Sequence, residues 1–254
     1  MNRHSSAPPS PAARFTAVPV PDGAAPLIRV AHLTKAYRGR PALADLTLNL
    51  PAGRIVGLMG SNGSGKTTLL KILAGLLSEY DGQVRVGEYV PGPQSKALVA
   101  FLPDADFLAP ELKAEQAIAM FSRLFSDFDA DRARELVEFF GLPKDRSLKE
   151  MSKGMGEKLR VSLIMARRAS VYLLDEPISG VDPAARDVIL SGVLQGFDPE
   201  ALMVISTHLI ADVEPIVDSV VFLKDGRLLL AGDADDLREA HGMSLDALFR
   251  KEYR

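Results

Sequence analysis

The stretch "GSNGSGKTT" comprises Gly60, Ser61, Asn62, Gly63, Ser64, Gly65, Lys66, Thr67 and Thr68, and it lies between two apolar runs, "RIVGLM" and "LLKILAGLL". It meets the pattern G-x-x-x-x-G-K-[ST] in the context that pattern requires, after a strand and before a helix. Small residues at this spacing let successive backbone N–H groups turn toward one centre, and a helix beginning at the lysine adds positive potential there. The chemistry is phosphate binding. Lys66 reaches the β and γ phosphates of a nucleotide, and the Thr67 hydroxyl is a ligand for Mg²⁺. The competing reading is a Gly/Ser loop that only turns a strand into a helix.

Two further apolar runs end in polar residues. "VYLLDEP" carries Val171 to Leu174 into Asp175 and Glu176, which places two adjacent carboxylates at the carboxyl end of a buried strand, where open α/β sheets bind ligands. Asp175 then holds Mg²⁺ through its water shell, and Glu176 polarises the water that attacks the γ-phosphate. "ALMVISTH" repeats the construction and ends at Ser206, Thr207 and His208. A neutral imidazole at that point can hydrogen-bond the γ-phosphate or orient the water. Taken alone, the two carboxylates read equally well as solvated loop residues, and a lone histidine is more often a packed or surface residue.

These groups need a scaffold, and the composition allows one. The 254 residues are 47 % hydrophobic and 25 % charged, enough for one large core or two modest ones packed together. A net charge of −3 gives no general attraction to nucleic acid or to an anionic membrane, so no nucleic-acid partner is expected. The absence of cysteine excludes disulfides and thiolate metal sites. No apolar run approaches the roughly 18 to 20 residues of a spanning helix, and the N-terminus lacks an apolar signal core. A cytoplasmic chain is expected.

Residues 1–26, rich in Pro, Ala and Ser, read as a disordered tail. From residue 27 to 254 short apolar runs alternate with amphipathic stretches. "LIRVAHLTKAY" and "ALADLTLNL" alternate with period two, as strands with one wet face do. "RIVGLM", "ALVAFL", "VYLL" and "ALMVIS" are nearly continuous, as strands covered on both faces are. Between residues 111 and 140 the period becomes helical, with Ala133, Leu136, Val137 and Phe140 on one face and "GLP" closing the helix. A helical insert, about 104–168, therefore interrupts an α/β core. The C-terminal "SLDALFRKEYR" reads as a short capped amphipathic helix without chemistry.

The order of "GSNGSGKTT", "MSKGMGEKL", "VYLLDEP", "ISGVDP" and "ISTH" resembles the nucleotide-binding subunit of ATP-binding-cassette (ABC) transporters over essentially the whole chain beyond the tail. The resemblance implies a P-loop NTPase core with a parallel sheet, an antiparallel β subdomain and a helical subdomain. It implies ATP and Mg²⁺ as cofactors, and a head-to-tail pair of such subunits, homodimer or heterodimer, closing on ATP and reopening on hydrolysis. It further implies membrane permease subunits as partners and a place on the inner face of the cell membrane. By motif match Tyr37 stacks on adenine, Asp175 is the Mg²⁺-linked carboxylate, Glu176 the catalytic base and His208 the switch histidine. Ser152 and Gly154 touch the γ-phosphate across the dimer interface, which Asp182 spans.

Two positions depart from the family. Its signature is usually LSGGQ, whereas Met151 to Met155 reads "MSKGM", keeping the serine and second glycine and adding Lys153; this form resembles drug- and bacitracin-resistance exporters, which favours export. Where the family commonly has a glutamine that ligates Mg²⁺, this chain has Pro103 and Asp104, and either Asp104 or Asp106 is placed to take the role. "DADFLAP" offers Phe107 and Leu108 as an apolar socket for a permease helix or, equally, as core anchors. The alternatives are a non-transport ABC ATPase and a regulatory module that closes without hydrolysing. No N-K-x-D motif supports a GTPase.

Overall fold

The computed structural model describes residues 16–20 and 25–253. Much of the expected tail, residues 1–15 and 21–24, lies outside the described residues. In the described residues 16–20, Val18 is buried at 2 % exposure in the core that also holds the small sheet, and Thr16 forms a parallel bridge with Ala231.

The strands β1 (Ile28–Tyr37) and β2 (Arg40–Leu50) form an antiparallel pair. β3 (Arg54–Met59) runs into the phosphate loop and α1 (Lys66–Leu73). Then come β4 (Asp81–Val86), the short helix α2 (Pro93–Lys96) and β5 (Val99–Leu102). The helices α3 (Ala114–Leu124), α4 (Ala130–Phe139) and α5 (Lys153–Met165) separate β5 from β6 (Val171–Asp175). Next follow α6 (Pro183–Gln195), β7 (Leu202–Thr207), α7 (Ile210–Val213), β8 (Ser219–Lys224), β9 (Arg227–Asp233), α8 (Ala234–His241) and α9 (Leu245–Glu252).

Two sheets result. One has three antiparallel strands in the order β2-β1-β4, and the other has six in the order β5-β6-β7-β3-β8-β9. The large sheet is parallel except for its edge, where β9 runs antiparallel to β8. Sequence patterning anticipates six of the strands and misses β4, β8 and β9.

The continuous apolar runs are explained by burial on both sides. In β6, Val171 and Leu173 face the core shared with α1 and the small sheet, while Tyr172 and Leu174 face the core shared with α3 to α6. β7 alternates in the same way through Leu202 and Val204 against Met203 and Ile205. No polar position is needed on either face. The helical insert is built from caps and an apolar stripe: Asp129 accepts hydrogen bonds from Asp131 N and Arg132 N at 3.1 Å, and Ala133, Leu136 and Val137 are buried. Gly141, at φ 62°, ends α4 in the left-handed conformation that glycine tolerates.

Candidate functional site

Strand order decides which loops meet. β6, β7 and β3 are parallel neighbours, with Asp175 opposite Ser206 and Leu58 opposite Ser206 in register. Their carboxyl ends therefore deliver the phosphate loop, the Asp175–Glu176 pair and His208 to one edge, as the strand ends predict.

The loop has the conformation phosphate binding needs. Gly65 sits at φ 106° at the start of α1, and a Cβ there would lie 2.5 Å from the Ala42 carbonyl, so the position demands glycine twice over. No side chain caps α1, which leaves its first N–H groups for a ligand. Lys66, 6 % exposed, donates to the Gly60 carbonyl at 2.8 Å and the Ser61 carbonyl at 3.3 Å, and its ammonium lies 3.4 Å from Glu176 Oε1.

Asp175 is almost fully buried. Its Oδ1 accepts hydrogen bonds from Ser206 Oγ at 2.5 Å and Thr67 Oγ1 at 3.1 Å, while Oδ2 is buried without a partner. Burial pushes its pKa up, against the lowering effect of the Ser206 and Thr67 hydrogen bonds. A carboxylate oxygen sealed from water and unpaired, beside a threonine hydroxyl, is the hard-oxygen donor set that suits Mg²⁺. Among the described residues no cluster of three acidic or histidine side chains is assembled for a metal, so an ion here would lean on water and phosphate oxygens as well.

Glu176 takes φ 52°, a left-handed value that is costly outside glycine and recurs at functional sites. The twist is held by its own N–H, which donates to the Ser206 carbonyl at 3.0 Å and to Ser206 Oγ at 3.3 Å. It sends the carboxylate between two partners, Lys66 and His208 Nδ1, the latter 2.9 Å from Oε2. His208 itself sits inside a turn closed by Leu209 N donating to Thr207 Oγ1 at 2.9 Å. Ser206 thus supports both carboxylates. Its role escapes motif reading, although a serine closing an otherwise apolar run was a visible signal.

A groove of about 270 Å³ joins Tyr37, 45 % exposed at the end of β1, to Asn62, Gly63, Gly65 to Thr68, Asp104 and Glu176. Asp104 also acts to raise the Asp175 pKa. Asp106 is engaged elsewhere, in an ion pair with Arg160, which separates the two candidate aspartates.

Ser152, Gly154 and Asp182 do not line this groove in their own chain. Ser152 caps α5, accepting from Met155 N at 3.3 Å, and Gly154 lies against Val181 and Ala185. Asp182 caps α6 through Ala185 N at 3.0 Å. Ser152 and Lys153 line a larger cleft, about 640 Å³, with Asp104, Glu157 and Glu176. Phe107 lines an apolar groove of about 350 Å³ with Leu76, Phe101, Pro103 and Phe125, whereas Leu108 is a core anchor at 6 % exposure. No helix among the described residues is long and apolar enough to cross a membrane.

Comparison with known proteins gives a consistent result. A family model described as ABC transporter matches residues 43–179. The ABC transporter ATP-binding protein YtrB of Bacillus subtilis is 29 % identical over 218 residues, spanning 85 % of this chain and 75 % of that protein. Nod factor export ATP-binding protein I of Cupriavidus metallidurans is 28 % identical over 219 residues, spanning 83 % and 72 %. A solved structure of an ATP binding subunit of an ABC transporter superposes with a TM-score of 0.80 at 29 % identity, covering 90 % of this chain and 100 % of that one.

Proposed function

Because the chain belongs to the ABC transporter family, we propose that it is the ATP-hydrolysing subunit of a transporter, driving separate permease subunits by closing a dimer on ATP and reopening it on hydrolysis. The observation that carries the reading is Glu176, held in a strained backbone conformation with its carboxylate between Lys66 and His208.

ATP enters with its phosphates on the loop Gly60 to Thr68 and its adenine against Tyr37. Lys66 leaves the loop carbonyls for the β and γ phosphates, since a charge-assisted contact to phosphate is stronger than one to a neutral carbonyl. Thr67 and Asp175, with Asp104 at the rim, would hold Mg²⁺, which would supply charge neutralisation at the phosphates. Released from Lys66, the Glu176 carboxylate is free to accept a proton from the attacking water, and His208 holds the γ-phosphate side. Ser152 and Gly154 complete the site from a second subunit, and Asp182 spans the interface. Catalysis is positioning and charge neutralisation.

The apolar groove containing Phe107, with Lys71 and Lys96 among its lining residues, suits a short amphipathic permease helix with an acidic end. That would hold the chain at the inner face of the membrane. Export is favoured by the "SKGM" signature and by the similarity to a protein named for Nod factor export.

The test is Glu176→Gln. ATP turnover is expected to fall at least a hundredfold, in line with loss of a general base, while ATP-dependent dimers persist in size-exclusion chromatography. Unimpaired turnover in this variant would remove Glu176 from the role.

A further inference from the structure

The last turn of α9 reaches the phosphate loop at Gly60. Tyr253, which closes α9, stacks on Phe249 with ring centroids 4.0 Å apart, and Phe249 stands edge-on to Phe222 of β8 at 5.4 Å. Lys224 covers the tyrosine ring at 5.3 Å and donates to the Glu252 carbonyl at 3.3 Å. So anchored, the phenol oxygen sits against the first residue of the loop: a Cβ added at Gly60 would lie 3.0 Å from it and 2.6 Å from the Leu223 carbonyl, and would collide with Ser64 Oγ.

Two hydroxyls therefore border one point beside Gly60. Tyr253 Oη and Ser64 Oγ are both buried, and neither makes a hydrogen bond of ordinary geometry. Burial pushes the phenol pKa up, and Ser61 and Ser64 lie near enough to oppose that only in part. Sealed and unpaired hydroxyls are costly, and one of these two belongs to the Gly60 to Ser64 turn itself. In this conformation the turn is held by Lys66, whose ammonium bonds the Gly60 and Ser61 carbonyls. Withdrawing Lys66 to phosphate releases that restraint.

The other end of α9 is tied to the histidine side of the site. Glu214, at the end of α7 and six residues after His208, accepts from Leu245 N at 2.9 Å and Asp246 N at 3.3 Å, satisfying the first N–H groups of α9. The helix thus runs from the segment bearing His208 to Gly60 of the phosphate loop.

Resting on the nucleotide site proposed above, we propose that Tyr253 is a positioning residue for the phosphate loop, its hydroxyl gaining a hydrogen bond from the Ser61–Ser64 turn only when that turn closes on phosphate. The consequence is a split between stability and affinity. In Tyr253→Phe the free chain loses an unpaired buried hydroxyl, so its Tm stays level or rises; the closed loop loses a hydrogen bond, so affinity falls by about fivefold.

The experiment uses the full chain with Mg²⁺ and a non-hydrolysable ATP analogue, measuring Kd by calorimetry and the ligand-free Tm by scanning fluorimetry for wild type, Tyr253→Phe, Tyr253→Leu and Lys66→Ala. The expected result is weaker binding without a lower Tm in Tyr253→Phe, and weaker binding with a lower Tm in Tyr253→Leu, which also loses the ring. A Tyr253→Phe variant with wild-type affinity, or one losing Tm and affinity together, overturns the proposal while Lys66→Ala still binds weakly. If Lys66→Ala also binds like wild type, the nucleotide site itself is wrong.

Discussion

Asp175 shows how a single residue exchanges stability for chemistry. Its carboxyl is 1 % exposed, one oxygen is unpaired, and burial holds its pKa above the usual carboxylate value. A group whose folded-state pKa is raised contributes stability that is complete below its unfolded pKa and is lost as pH rises through the folded one. At neutral pH the ligand-free chain therefore carries this residue at a cost. Asp175→Asn removes the charge and keeps an acceptor for Ser206 and Thr67, so its ligand-free Tm at pH 7 is expected above that of wild type, by about 2–4 °C for each kcal/mol relieved. The difference should narrow toward pH 4, and Mg²⁺-dependent turnover should disappear. Equal Tm values at pH 7 in scanning calorimetry would argue against a destabilising Asp175. Glu176 makes the same exchange through its backbone, whose left-handed twist costs about 1–3 kcal/mol and persists because the Ser206 hydrogen bonds enforce it.

Among elements, α5 links the larger cleft to the segment after β5. Ser152 caps its start beside the larger cleft, and Arg160, 9 % exposed, holds Glu157 at 2.5 Å on one side and Asp106 of the segment after β5 on the other. Burial raises the Glu157 pKa even against the lowering effect of Arg160, so the carboxylate depends on this cation. Arg160→Met should lower stability by about 3 kcal/mol in urea denaturation, because the remaining carboxylate is buried without its partner. Adding Glu157→Gln should restore most of the loss. If the double variant is no more stable than the single one, the arginine acts through packing. The Asp106 side of the pair, 77 % exposed on the carboxylate, contributes little energy and mainly fixes where that segment lies relative to α5.

For the molecule as a whole, two cores share one sheet, and the nucleotide groove lies along the edge where the strands of both end. Ligand binding should consequently stabilise the entire chain. At an ATP concentration of 100 Kd the gain is about 2.7 kcal/mol, which corresponds to a Tm increase of about 5–10 °C for a chain of this size. Lys66→Ala should show almost no increase under the same conditions in scanning fluorimetry. An increase as large as in wild type would place binding elsewhere. In the Glu176→Gln variant the ATP-induced increase should also grow with protein concentration, since dimer closure adds a mass-action term that a monomeric binder lacks.

The phosphate loop and the acidic pair were legible in the sequence because backbone-directed chemistry imposes local spacing: glycine at Gly65, lysine and hydroxyl immediately after it, carboxylates ending an apolar run. The four core strands were legible for a related reason, since burial on both faces leaves no polar residue in the run. β4, in "DGQVRV", has too short an alternation to stand out, and the residues 16–20 look like tail because one buried valine makes no pattern. Other features depend on contacts between distant residues. Thr67 meets Asp175 across 108 positions, Ser206 supports two carboxylates from the neighbouring strand, and Asp106 rather than Asp104 is taken by Arg160. Tyr253 lies beside Gly60 only because α9 folds back on β8. Local spacing fixes what a segment is able to bind, while strand order and packing decide which segments act together.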